Sequence, residues 1–384
     1  MNNSNQSITL WGTPHSLFTG KIRSYLIKKG ISFRERMPSD PAFQQRVIPV
    51  VGTFVVPILE LADGTILQDT SDMIDYLEQA FPARQMLPTS PVQRFAALLL
   101  DGFGSEGLLA AAMHYRWSYR AEQEQFLRAE FGRSVHAGNN REERLAAGAQ
   151  MMGYFNSFLP FLGVTAESIT VHESACEELL DALDIHFLSH PYLLGGHPSI
   201  ADFGLMGPLF AHLGRDPYPS ALMKNRAANV YRWTERMNLA GIADVEFPDC
   251  AESWLPDDAL PATLEPVLAL LFKDWGAMLA ADAAAFNAWS AGRPSGSPAH
   301  IDQERKIHPT VGMVEYQWRG CKIQRASAPH GLWLFAKAQA ATCELTDAEQ
   351  QHVAELVRRT GGEQVMALQL ARQMQRENYT LVLQ

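Results

Sequence analysis

The residues whose types and spacing could do chemistry in this chain of 384 residues cluster near its start. The octet Ser16-Leu17-Phe18-Thr19-Gly20-Lys21-Ile22-Arg23 follows a short apolar run and opens a stretch with helical spacing. A helix N-terminus presents unpaired N–H groups and about half a positive charge, a setting that favours an anion such as a thiolate. A hydroxyl at Ser16 could add one more hydrogen bond to that sulfur. A free thiol with a pKa near ~8.5 is mostly protonated at neutral pH, so each unit of lowering gives up to about tenfold more nucleophile. Ser16 or Thr19 can equally act as a plain helix cap. Thr13, His15 and Ser24 are further polar candidates near the turn, His15 being read as a solvated loop residue beside Pro14.

Two more segments place polar groups at turns. In Val55-Val56-Pro57-Ile58-Leu59, Pro57 enters a β-rich run and is either a cis proline or an ordinary edge-strand proline. Gln68-Asp69-Thr70-Ser71 precedes a helical stretch with Met73, Leu77 and Tyr76 turned inward, and its Asp69, Thr70 and Ser71 are good N-cap residues. Far along the chain, Ser199-Ile200-Ala201-Asp202 has the form of an N-capping box, whose role is folding.

The elements that must position these residues follow from periodicity and breakers. Ser7 to Thr13 reads as a buried strand, Gly20 to Lys29 as a helix stopped by Gly30, and Ile31 to Arg36 as a second strand. A segment containing Pro38, Pro41 and Pro49 comes next, then Thr53 to Leu61, the Asp63-Gly64 hairpin turn, and a helix over Thr70 to Ala80. Prolines from Pro82 to Pro91 mark a boundary. Helical stretches are expected over Val92 to Arg128, Arg141 to Leu159, Ser174 to Leu188, Ser199 to Leu213, Asn225 to Asn238 and Leu264 to Trp289. After a turn-rich run from Gly292 to Pro298, a hairpin is expected over Met313 to Arg325 and a charged helix over Thr346 to Gln375, broken near Gly361-Gly362.

Composition narrows the function. With 47% hydrophobic and 19% charged residues the chain has the mixture of an ordinary globular protein of two or three packed units. A formal charge of −10 argues against nucleic acid or an acidic membrane as a main partner. Neither a run of about twenty apolar residues nor a signal-peptide pattern is evident, which predicts a cytoplasmic protein. Cys176, Cys250, Cys321 and Cys343 lie far apart, with no C-x-x-C and no metal-ligand spacing, so no metal site or disulfide framework is expected.

Together, residues 7 to about 238 resemble the cytosolic glutathione S-transferase superfamily. In relatives, a cysteine, serine or tyrosine begins the first helix seven positions before an arginine, and that position here is Ser16. The resemblance makes Pro57 cis and has Val56 offer its backbone to the cysteinyl part of glutathione like an added strand. Aligning Tyr76-Leu77 with the family's tyrosine-leucine pair puts Asp69 at the γ-glutamyl amino group and Thr70, with its N–H, at the carboxylate. His15 and Thr19 are possible additional site residues. The implied architecture is an α/β thioredoxin-like N-terminal domain over residues 1–83, an all-α glutathione-transferase-type domain over 90–250, and an extension over 251–384 with no recognised counterpart.

The implied activity is addition of the glutathione thiolate to a small hydrophobic electrophile, a detoxification chemistry, by a cytoplasmic homodimer without a metal. The alternatives are a non-catalytic glutathione-binding or protein-interaction module and a glutathione-dependent isomerase or ether-cleaving enzyme. Because neither Ser16 nor Thr19 is cysteine, exchange through the protein's own sulfur at this turn is disfavoured. The run Met113-His114-Tyr115-Arg116-Trp117 lies where the family's electrophile site would be. Its aromatic residues, with Tyr119, Met151 and Met152, read as packing, and Arg116 as the partner of a carboxylate such as Glu106 or Glu130.

Overall fold

In a computed structural model describing residues 8–301, 309–343 and 345–384, the chain begins with an α/β unit of the thioredoxin-like kind and continues as helices. The N-terminal order is β1 (Ile8–Trp11), α1 (Leu17–Lys29), β2 (Phe33–Arg36), a short α2 (Ile48–Val51), β3 (Ile58–Glu60), β4 (Ile66–Gln68) and α3 (Thr70–Ala80). Ser7, expected to start the first strand, lies outside the described residues. The sheet order is β2-β1-β3-β4, with β1 parallel to β2 and antiparallel to β3. Gly30 ends α1 in the left-handed conformation that a glycine adopts without a Cβ clash (φ 76°). The proline-rich segment contains a π turn at Phe43–Val47 and then α2, because Phe43, Val47 and Val51 bury against Trp11, Ile58 and Ile66. Tyr76, expected to face inward, is 41% exposed; Met73, Ile74 and Leu77 already fill that face of α3.

The helical part comprises α4 (Pro91–Gly102), α5 (Leu109–Trp117), α6 (Arg120–Val135), α7 (Arg141–Asn156), α8 (Ile169–Ser189), α9 (Ile200–Met206), α10 (Pro217–Arg226) and α11 (Ala228–Met237). The expected single helix from 92 to 128 is interrupted by a π turn at Phe103–Gly107 and again at residues 118–119. At the first break the backbones of Gly104 and Gly204 meet so closely that a Cβ on Gly104 would lie 2.4 Å from Gly204. The stretch Pro91–Trp117 is long and apolar enough to cross a membrane by length and composition, but 72% of its most apolar window is buried inside the protein, as in a core helix. The capping box forms at the start of α9, where Asp202 Oδ2 accepts the Ser199 N–H at 2.9 Å.

The remaining elements are α12 (Glu265–Ser290), the hairpin β5 (Gly312–Trp318) and β6 (Cys321–Ser327), α13 (Pro329–Ala340), α14 (Asp347–Arg359), α15 (Glu363–Met366), and a second hairpin, β7 (Met374–Glu377) and β8 (Thr380–Leu383). The charged helix expected to reach Gln375 ends sooner. Gly361 turns with φ 72°, and the chain re-enters as a strand at Met374. Leu332, Leu334, Phe335 and Ala338 of α13 belong to the same buried cluster as Leu99 and Leu100 of α4 and Trp275 of α12. Thus α13 lies over α4, and α12 lies over α8.

Candidate functional site

The strand register brings the three chemically marked segments to one end of the sheet. Trp11 pairs with Ile58, and Ile58 pairs with Gln68. The chain therefore leaves this row of strands through Gly12–Ser16 on one side, enters it through Val56-Pro57 in the middle, and leaves again through Asp69-Thr70 on the other. The Val56–Pro57 peptide bond is cis.

At the first turn, Ser16 has extended backbone geometry (φ −82°, ψ 125°) and its Oγ accepts the Thr19 N–H at 3.3 Å. This is an N-cap, and it uses only the acceptor side of the hydroxyl. Thr19 is fully buried; its Oγ1 accepts the Thr13 N–H at 3.4 Å and its side chain fills the space above Gly12. It closes the turn from within. His15, read from sequence as solvated, is instead 5% exposed, its ring 4.2 Å from that of Phe131. Burial, then the neighbouring Arg116, Arg215, Arg23 and Arg133, hold its pKa well below the ordinary value, so it is neutral.

Arg116 supports the turn from behind. Its guanidinium donates to Asp216 at 2.7 and 3.1 Å, to the His15 carbonyl at 2.7 Å and to the Ala211 carbonyl at 2.7 Å. The carboxylate partner is Asp216, not the expected Glu106 or Glu130; Glu130 is engaged by Arg133 and Arg215. Tyr115 and Trp117 are buried, and Tyr119 stacks on Tyr218 with ring centroids 3.4 Å apart. Met152 is buried as well, so most of this run serves packing.

Asp69 caps α3 with a positive φ of 82°, its Oδ1 accepting the Ser71 N–H at 2.8 Å. Its other oxygen faces the C-terminal elements. His330 Nε2 lies 2.7 Å from Asp69 Oδ2, and His330 Nδ1 lies 2.7 Å from Glu106 Oε1. With a carboxylate on each ring nitrogen, both must donate, which requires the imidazolium. Burial alone would lower the His330 pKa, but the charges of Asp69 and Glu106 raise it to about 10. Burial would likewise raise the Asp69 pKa, yet the His330 charge and hydrogen bond, then Arg376, hold it far below the usual carboxylate range.

Arg376, at the tip hairpin, lies 3.5 Å from the same Asp69 oxygen and donates to Asp72 at 2.7 Å and to Gln68 Oε1 at 2.6 Å. Lys337 Nζ reaches Ser71 Oγ and Asp75, each at 2.7 Å. These cations were not singled out from sequence. The signal available was Asp69, Asp72 and Asp75 on one face at three-residue spacing with no cation on the same helix. Thr70 is 6% exposed, and its hydroxyl makes no hydrogen bond to another described residue. Cys176, buried on α8, has its thiol pushed up to about 12 by burial, which makes it inert at neutral pH.

Residues 10–85 match the family model described as the glutathione S-transferase N-terminal domain. The chain carries a glutathione S-transferase N-terminal domain. No curated protein matches the chain. Among solved structures, a glutathione S-transferase from Rhodospirillum rubrum F11 is 15% identical with a TM-score of 0.37, covering 68% of this chain and 98% of its own. The beta-etherase LigF from Sphingobium sp. strain SYK-6 is 17% identical with a TM-score of 0.41, covering 60% and 95%. A Methylobacterium radiotolerans glutathione S-transferase in complex with glutathione sulfonate is 19% identical with a TM-score of 0.34, covering 63% and 93%. Within the glutathione S-transferase N-terminal domain of this chain, the hydroxyl turn, the cis proline and the acid-hydroxyl pair all fall at one end of the sheet.

Proposed function

We propose that this chain binds a cysteinyl thiol of the glutathione type along Val56, with Thr70 toward its carboxylate, and ionises that thiol at Ser16 for attack on an apolar electrophile. The observation that carries this is the state of Ser16. Its oxygen caps α1 by accepting the Thr19 N–H, while its own O–H has no acceptor among the described residues. A sulfur placed there would receive that hydrogen bond as well as the favourable end of the α1 dipole. The thiol proton leaves to solvent first; the sulfur lone pair then forms the bond to carbon while a leaving group departs with its bonding pair, or while an activated double bond or epoxide C–O bond opens and its electron pair takes a proton from solvent.

Ser16→Ala tests the proposal. The expected outcome is a raised pKa of the bound thiol and about a tenfold lower kcat/KM at neutral pH for each unit of that rise, the loss shrinking as pH increases and the thiol ionises unaided. Ultraviolet titration of the thiolate in the complex reads this directly. A Ser16 that is only a cap would instead cost about 0.5 to 2 kcal/mol of stability and leave the titration unmoved. That result would remove the catalytic role.

A further inference from the structure

The acid that the family resemblance assigns to the γ-glutamyl amino group is already engaged on both oxygens. Asp69 Oδ1 is used by the Ser71 N–H, and Oδ2 is shared by the His330 imidazolium and the Arg376 guanidinium. Both cations are also held by other acceptors. His330 has Glu106 on its other nitrogen, and Arg376 has Asp72 and Gln68. An incoming ammonium would meet two cations of its own sign already paired with a carboxylate that is 9% exposed.

This cover is built into the core and is no flap. His330 is one residue into α13, whose Leu332, Leu334, Phe335 and Ala338 are at most 4% exposed. Arg376 is carried by a hairpin that is tied down by backbone hydrogen bonds from the Gly296 N–H to the Leu383 carbonyl, the Leu383 N–H to the Ser297 carbonyl and the Ala299 N–H to the Leu381 carbonyl, at 2.7 to 2.9 Å. Tyr379 at its tip packs against the cluster that holds Val55 and Val56 and donates to the Ile66 carbonyl. Moving His330 with its helix would mean unpacking α13 from α4, and moving Arg376 with its strand would break the hairpin's ties, so both cations line the subsite.

The neighbouring half of the subsite is different. Thr70 stands at the first turn of α3, an 11-residue helix, with its hydroxyl free of other described residues. A carboxylate is still provided for there. An ammonium is not.

Resting on the assignment of Asp69 and Thr70 made above, we propose that His330 and Arg376 set the thiol specificity of this chain. The preferred co-substrate is a cysteinyl thiol bearing a carboxylate, but no α-ammonium, at the end that meets α3. Glutathione itself is then a poorer ligand than its desamino counterpart, glutaryl-cysteinylglycine, which keeps the same carboxylate, thiol and glycine.

Calorimetry with these two tripeptides on the full chain tests this without any mutation. The expected result is glutaryl-cysteinylglycine binding at least as tightly as glutathione. Removing the two charges in His330→Gln/Arg376→Gln should shift the ratio of the two affinities toward glutathione by about tenfold or more, the size of a hydrogen bond to a charged group. A wild-type protein that prefers glutathione tenfold or more overturns the inference, whether or not the double variant folds. If that preference comes with a Ser16-dependent thiol titration, the proposed function stands and only the specificity falls. If neither tripeptide binds wild-type protein, both fall together.

Discussion

At Ser16 one oxygen can serve two purposes because the cap uses a lone pair and a thiolate would use the proton. The neighbouring hydroxyl provides the control. Thr19 is buried and turned back toward Thr13 and Gly12, so Thr19→Ala should lower stability by about 0.5 to 1.5 kcal/mol, as for one lost hydrogen bond, and leave the thiol titration where it was. Thermal melts run beside the titration check both halves. Asp69 is predicted to behave as a structural residue. Asp69→Ala strips one of the two carboxylates from His330, and the expected cost is about 1.5 to 3 kcal/mol of stability, the range for a hydrogen bond to a charged group. A variant that melts with the wild type would show that Glu106 alone satisfies the imidazolium.

Among the elements, the turn that holds Ser16 is placed from two sides. Leu17 of α1 packs where Gly207 has no side chain, a Cβ there being only 2.8 Å from Leu17 Cδ2, and Arg116 fixes the His15 carbonyl one residue before Ser16. Arg116→Met removes that support and leaves Asp216 buried without its cation, so the expected loss is about 3 to 5 kcal/mol by denaturant unfolding. Asp216→Asn keeps one acceptor for the guanidinium and should cost less; equal losses would mean that the charge, and not the hydrogen-bond geometry, is what matters. The local pieces of this arrangement were legible in the sequence. The capping positions at Ser16, Asp69 and Ser199, the Asp63-Gly64 hairpin and the succession of elements along the N-terminal unit all rest on residues within a few positions of one another. Arg116 with Asp216, 100 residues away, and His330 with Asp69, 261 residues away, leave no periodic trace, because pairing across such distances depends on how finished elements pack. His15 was misplaced for the same reason, since nothing beside it in sequence announces Phe131.

For the whole molecule, the buried titratable groups predict an asymmetric dependence of stability on pH. Burial keeps His15, His172, His186 and His212 neutral in the fold, with pKa values of about 4 for His172 and about 3 for His186, and with those of His15 and His212 held well below the ordinary value. Their unfolded counterparts take up protons below pH ~6.5, so acidification through that range favours the unfolded chain. His330 has the opposite sign. Its folded pKa of about 10 lies above the unfolded value, so its contribution is complete below pH ~6.5 and is lost progressively as pH rises toward 10. Lys28, buried against Tyr192 and the Gly241 carbonyl, partly opposes that loss. Burial and then Arg236 lower its pKa to about 8, so between pH 8 and ~10.4 the unfolded chain holds the extra proton and raising the pH favours the fold. The combined expectation is maximal stability between about pH 6 and 7, a decline up to pH 8 governed by His330, and a shallower slope above it. Urea unfolding at half-unit steps would trace this, and His330→Gln should flatten the segment from pH 6.5 to 8 while leaving the acid limb in place. If that segment keeps its wild-type slope in the variant, the imidazolium between Asp69 and Glu106 is not what holds the C-terminal elements over α3 and α4.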